Sequence, residues 1–193
     1  MASAGKRQDG PADALALLRR EHDRVRQLFQ EFERVRGIEE EEEHVANLVD
    51  DICYELTLHA IVEEELFYPL LRAAGEDDDE MIDEAEVEHA GVRELVSQLE
   101  TMYPGDEHFE ATVAVLAEEV EHHMAREEGE IFEAARASGI DLAALARRIE
   151  ARRRELDEDI DAGIDEDPGD SAPGTIDAME PHAGMRLPPR APD

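Results

Sequence analysis

The sequence predicts an all-α fold: an up-down-up-down four-helix bundle, a short fifth helix behind it, and a disordered acidic tail. Three observations lead there. Apolar residues recur at steps of three and four through four long stretches, the spacing that lines one face of a helix. Glycine and proline punctuate the chain between those stretches, and the links are short, so neighbouring helices must run antiparallel. The pattern also repeats internally. His22, Val25, Arg26, Leu28 and Glu33 match His89, Val92, Arg93, Leu95 and Glu100 at an offset of sixty-seven, and His59 with Glu63 matches His123 with Glu127 at sixty-four.

Residues 1–12 read as a flexible leader, without the apolar core of a signal peptide. The bundle is expected over 13–138. Helix one spans about Asp13 to Arg36 and stops at Gly37, a usual C-terminal cap. The five acids Glu39 to Glu43 suit the positive start of helix two; a second metal-collecting site is the rarer use of such a run. Helix two continues to Ala74 before Gly75, and Pro69 inside it predicts a kink or a loosened last turn. After the acidic link 76–79, helix three runs from Glu80 to Met102 and is halted by Pro104-Gly105. Asp106 is placed to cap helix four, which reaches Ala137 ahead of Ser138-Gly139. The fifth helix, within 139–156, starts from an Asp141 cap and carries Leu142, Leu145, Ile149 and Leu156 as its apolar stripe. Its arginines, Arg147, Arg148, Arg152, Arg153 and Arg154, are expected to pair with the acidic surface; a partner-binding helix is the other reading. Residues 157–193 are acidic, aperiodic and scattered with Pro and Gly, and read as a disordered tail.

The formal charge of −33, from 52 acidic and 19 basic residues, argues against nucleic acid and anionic membranes, which need basic patches. No apolar run approaches the ~18 residues of a membrane span. The single cysteine, Cys53, cannot form an internal disulfide, so a reducing cytoplasm is the natural setting. It lies beside Ile52 near the seam and reads as core filler.

The chemistry sits inside the seams. Leu15, Leu18, His22, Val25, Phe29 and Phe32 form one, and Ile82, Ala85, His89, Val92, Val96 and Leu99 another. Leu48, Ile52, Leu56, His59, Glu63, Leu66 and Leu70 form a third, and Phe109, Val113, Leu116, Val120, His123, Glu127 and Ile131 the fourth. Four histidines and two glutamates thus occupy positions where leucine belongs. Buried unpaired they would cost several kcal/mol, so something must satisfy them.

This H…HxxxE pattern, written twice between Ala14 and Ala137, resembles the hemerythrin-like (HHE cation-binding) domains. The resemblance implies a four-helix bundle holding two irons. His22 and His59 would bind one, His89 and His123 the other, and Glu63 and Glu127 would bridge both. One departure stands out. Oxygen-carrying hemerythrins have HxxxH on the third helix, whereas the residue four past His89 is Arg93. That argues against reversible oxygen carriage, and the symmetric set is closer to bacterial HHE proteins and to the iron-sensing hemerythrin domain of a ubiquitin-ligase subunit.

By ligand type, four imidazoles and two carboxylates suit Fe, Mn or Zn. Four protein donors per ion leave an octahedral metal open positions, which suits O2, NO or peroxide. Three functions follow: a binding or sensing protein responding to iron, O2, NO or peroxide; a di-iron catalase or peroxide reductase; and an iron or oxygen store. A different scheme, built on Glu86xxHis89 and Glu119xxHis122, would leave His22 and His59 without a role. Glu64 and Glu128 are expected to flank the site or face water. Arg26 and Arg93 read as surface residues with buried stems, or as partners of those acids. His44, His108, His122 and His182 fall off the seams or in the tail.

Overall fold

The computed structural model describes residues 13–75 and 79–165. The expected leader, and the part of the expected tail beyond residue 165, lie outside them. Helix α1 is Ala14–Val35, entered through Asp13, whose carboxylate accepts from the Ala16 N–H at 2.9 Å. It ends where Gly37 takes a positive φ of 74°, a conformation that costs glycine little. The acids after it form a 3₁₀ turn, Glu39–Glu41, and then open α2.

Helix α2 comprises Glu42–Val62, a five-residue π turn Glu63–Phe67, and Tyr68–Ala74. Helix α3 is Asp79–Leu99. Helix α4 is built like α2: Phe109–Arg126, a π turn Glu127–Ile131, and Phe132–Ala137. Helix α5 is Leu142–Asp165, entered through Asp141, whose side chain accepts from the Ala144 N–H at 2.9 Å.

Four expectations change on contact with the structure. The loosening expected at Pro69 lies ahead of it, in the π turn, and α4 has the same turn without a proline, so proline is not its general cause. The π turn adds one residue to the helical repeat, which turns Phe67, Tyr68 and Leu71 into the core and leaves Leu66 and Leu70 only half-buried. Asp106 does not cap α4 through its side chain; that carboxylate accepts from the Tyr103 N–H, and α4 starts at Phe109. Finally, the fifth helix passes Leu156 and reaches Asp165. An acidic run poor in apolar residues reads as tail, yet extending a formed helix costs far less than nucleating one. Tyr54 also anchors this extension, donating its O–H to Asp157.

Packing divides the bundle into two apolar clusters. One gathers Val25, Ile52, Leu56, Val92, Leu116 and Val120 toward the α1–α2 and α3–α4 turns. The other gathers Leu18, Val62, Phe67, Tyr68, Ile82 and Phe132 and is closed by Leu145, Ala146 and Ile149 of α5. Along each of α1 to α4 the seam histidine falls between members of the two clusters. Among the described residues no helix is long and apolar enough to cross a membrane. Cys53 is buried in the first cluster, and burial pushes its thiol up to about 12, so it is packing and not a thiolate.

Candidate metal centre

Six polar side chains are fully or almost fully buried between the clusters: His22, His59, Glu63, His89, His123 and Glu127. They are the six seam residues singled out in the sequence, and the structure brings all six together. Glu63 and Glu127 each open a π turn, and each carbonyl accepts the i+5 N–H, from Tyr68 and Phe132 respectively. The histidines meet in pairs, His22 Nε2 to His59 Nε2 at 3.2 Å and His89 Nε2 to His123 Nε2 at 3.1 Å. Glu63 Oε2 stands between the pairs, 3.3 Å from His59 Nε2 and 3.4 Å from His89 Nε2. Glu127 Oε2 is 3.1 Å from His22 Nε2 and 4.0 Å from both His59 and His123.

Each ring is oriented from behind. His22 Nδ1 lies 2.9 Å from Glu128, His59 Nδ1 3.0 Å from Glu21, His89 Nδ1 2.9 Å from Glu64 and His123 Nδ1 2.9 Å from Glu88. Every one of these carboxylates also meets an arginine: Glu128 meets Arg26, Glu64 meets Arg93, Glu88 meets Arg126 and Glu21 meets Arg153. Sequence reasoning put Glu64 and Glu128 at the flank of the site and saw Arg26 and Arg93 as candidate partners. It missed Glu21 and Glu88, although each directly precedes a seam residue. Hydrogen bonds from His89 and His123 hold Glu64 and Glu88 below the usual carboxylate range. Burial would raise Glu21 and Glu128, but the histidine and arginine on each bring it below that range as well.

The electrostatics of the six argue for a cation. An ionised carboxylate can only accept, so the outer glutamates fix the imidazole protons on Nδ1 and leave lone pairs on Nε2. Two such lone pairs face each other in each histidine pair, a repulsive arrangement unless a proton or a metal ion lies between them. Burial keeps His59 neutral, its pKa pushed down to about 4. Burial opposes charge on His22 too, but contact with Glu127 and Glu128 outweighs it and raises that pKa. Burial, then the neighbouring Glu127 charge, push Glu63 well above its ordinary value. Burial acts on Glu127 the same way, but His22, His123 and His59 pull it well below. Glu63 Oε1 and Glu127 Oε2 are also buried with no hydrogen-bond partner, which is costly without a cation. Two groups have donor atoms close enough to hold a metal ion, within 4.8 Å of one another: His22, His59, Glu63 and Glu127, and Glu63, His89 and His123. The donors are nitrogen and oxygen, and they fit a transition-metal cation.

Tyr68 also escaped sequence reasoning. It is completely buried, with its Oη 3.3 Å from Glu63 Oε2 and 3.5 Å from Glu127 Oε1. Burial, with the charges of Glu127 and Glu63, raises its pKa well above the usual phenol, so it stays a proton donor. Its ring stacks on His89 at 5.7 Å, as Phe132 stacks on His22 at 5.9 Å. Tyr68 and Phe132 are equivalent in the internal repeat, so a phenol stands on one half of the site only. The competing ExxH scheme is not assembled. Glu86 pairs with Arg72 at 3.1 Å, and both Glu119 and His122 are exposed. His44 and His108 are exposed as well, and His182 lies outside the described residues.

A family model, the hemerythrin HHE cation-binding domain, matches residues 13–135, more than half of the chain. The chain belongs to the hemerythrin HHE cation-binding family. A crystal structure of a hemerythrin HHE cation binding domain-containing protein from Mycobacterium kansasii, a homolog of Rv2633c, superposes with a TM-score of 0.68. It covers 80% of this chain and 93% of that one at 22% identity, a likeness of fold. A curated relative from Nostoc sp. (strain PCC 7120), a DNA nickase, is 31% identical over 122 residues. That match covers 62% of this chain and 32% of the nickase, so the chain spans about a third of its curated relative's length. The family and the buried His/Glu cluster together make this a metal-binding hemerythrin-like protein.

Proposed function

We propose that the bundle holds two iron ions and that the pair binds or responds to a small oxidant or gas: O2, NO or peroxide. His22 and His59 would hold one ion and His89 and His123 the other, with Glu63 and Glu127 shared. The observation that carries this reading is the pair of face-to-face Nε2 contacts with a buried carboxylate oxygen between them. Manganese and zinc accept the same donors, but a response to O2 or peroxide needs a metal that changes oxidation state, which zinc does not. When bound, the iron pair supplies electron exchange that no side chain of the bundle offers.

The chain's own contribution is orientation, exclusion of water and proton placement. The outer carboxylates keep a proton on each Nδ1 and so aim the Nε2 lone pairs inward. The apolar clusters on either side keep bulk water from the six donors. Tyr68 holds a proton at Oη, within reach of both shared glutamates. That phenol favours a second reading, a catalase-like or peroxide-reducing enzyme, because peroxide reduction consumes protons. The charge of −33 opposes a nucleic-acid or anionic-membrane partner, and a lone buried cysteine suits a reducing cytoplasm. The test is elemental analysis with an optical spectrum of protein purified under air. Two irons per chain are expected, and about one ion, or none after reconstitution with ferrous iron, would sink the proposal. Steady-state peroxide turnover then separates the enzyme from the sensor.

A further inference from the structure

The internal repeat makes a specific demand that the bundle alone does not meet. His123 is oriented by Glu88, and Glu88 is held by Arg126, one turn on from His122 and on the same helix as His123. The equivalent chain in the other half runs from His59 to Glu21. The repeat-related counterpart of Arg126 there is Val62, a fully buried apolar residue that belongs to the second cluster. Among the described residues of the bundle none takes the arginine's place. Arg153 does so from α5, outside the repeat, with its Nη1 2.8 Å from Glu21 Oε1 and its Nη2 2.6 Å from Glu55 Oε2. Arg153 and Glu21 are both mostly buried, at 18% and 11% side-chain exposure, so this contact is shielded from water in a way surface pairs are not.

We propose that Arg153 is a positioning residue for His59, acting through Glu21, and that docking of α5 thereby controls how firmly the His22–His59 half of the centre keeps its metal. The His89–His123 half takes its orienting carboxylates and arginines from α2, α3 and α4 alone. The inference rests on the two-metal reading above. Its consequence is that two positions that look alike in the sequence are unequal. Undocking α5 frees Glu21 from its arginine, lets the His59 ring turn, and loosens one ion while leaving the other in place. The fifth helix, which the repeat cannot explain, is then part of the metal site.

The experiment is chelator-driven release of iron from the full chain, followed by absorbance. The wild-type protein should start with two ions. Arg153→Leu keeps the apolar stem and removes the charge. It should make release biphasic, with one ion leaving about tenfold faster or more and the other at the wild-type rate. Glu21→Gln should give the same single fast ion, and serves if Arg153→Leu folds poorly. Arg153→Lys should recover part of the slow rate. Arg152→Leu removes a second, more exposed α5 ion pair, to Glu65, that does not touch Glu21, and should leave release unchanged. Arg126→Leu should speed one ion alone, and the Arg126→Leu/Arg153→Leu double variant both. Uniform release in Arg153→Leu and Glu21→Gln overturns the inference while the two-metal reading stands. So does an Arg152→Leu variant that loses iron equally, since docking in general would then be the cause. A wild-type protein holding fewer than two ions overturns both.

Discussion

At the scale of residues, the centre is defined by where protons sit. Burial and its neighbour's charge push Glu63 well above the usual carboxylate range, and contact with Glu127 and Glu128 raises His22 above the ordinary imidazole value. Metal binding requires both as unprotonated donors, so protons compete with the metal at each. The sign follows: loading should release protons, and apparent affinity should rise with pH until Glu63 is ionised in the metal-free protein. Titrating the metal-free protein with ferrous iron in a weakly buffered, anaerobic indicator solution checks this. Uptake with no proton release would mean the donors are already stripped. Tyr68 gives a second prediction. Tyr68→Phe makes that half match its repeat partner Phe132, keeps the stacking on His89, and removes one proton donor. Iron content should be unchanged, and any peroxide reaction should slow by about 10²-fold, the ordinary worth of a placed general acid. An unaffected rate would remove Tyr68 from the chemistry.

At the scale of elements, the π turns decide what faces the core. Each begins at a buried glutamate and places an aromatic ring five residues on, with its backbone N–H on the glutamate carbonyl. Gly129 lies in the second turn, exposed, and a Cβ added there would meet nothing within 4 Å. Gly129→Ala should therefore be neutral or stabilise by up to about 1 kcal/mol. Deleting Gly129 should instead convert the turn to α geometry and rotate Ile131, Phe132 and Ala135 by about 100° away from the core. Losing the burial of Phe132 alone is worth about 3–5 kcal/mol. Thermal denaturation of the two variants makes the comparison; equal stability would mean the turn is incidental. The same turn marks the limit of what the sequence disclosed. His22, His59, Glu63, His89, His123 and Glu127 were legible because four seams and a repeat place polar groups where leucine belongs. Tyr68 was not, because a fixed 3.6-residue period carries the seam through Leu66 and Leu70, and one inserted residue moves it. Arg153 was legible only as one of five arginines able to pair with acid. Which acid it meets depends on how α5 docks, and no spacing along the chain encodes that.

At the scale of the molecule, four helices converge six polar groups on a layer between two apolar clusters, and that layer is the weak plane of the bundle without metal. Glu63 and Glu127 present unpartnered oxygens there, and each histidine pair presents facing lone pairs. A buried group left unsatisfied costs about 1–3 kcal/mol, and the excess of acidic residues, −33 over the whole chain, adds self-repulsion to the compact state. Metal ions that bind only the folded chain act in the opposite direction. An ion free at about 1,000 times its Kd stabilises by roughly 4 kcal/mol, and each kcal/mol moves the Tm of a chain of this size by about 2–4 °C. Chelation should therefore lower the Tm by on the order of 10 °C per ion. The two contributions are distinguishable by salt. Screening relieves surface repulsion but scarcely reaches a buried layer, so about 0.5 M NaCl should raise the metal-free Tm only in part, and reconstitution with ferrous iron should restore the remainder. Calorimetry of loaded, chelated and reconstituted protein with and without salt measures each step. A chelated protein that salt alone returns to the loaded Tm would mean that surface charge, and not the buried layer, is what the metal offsets.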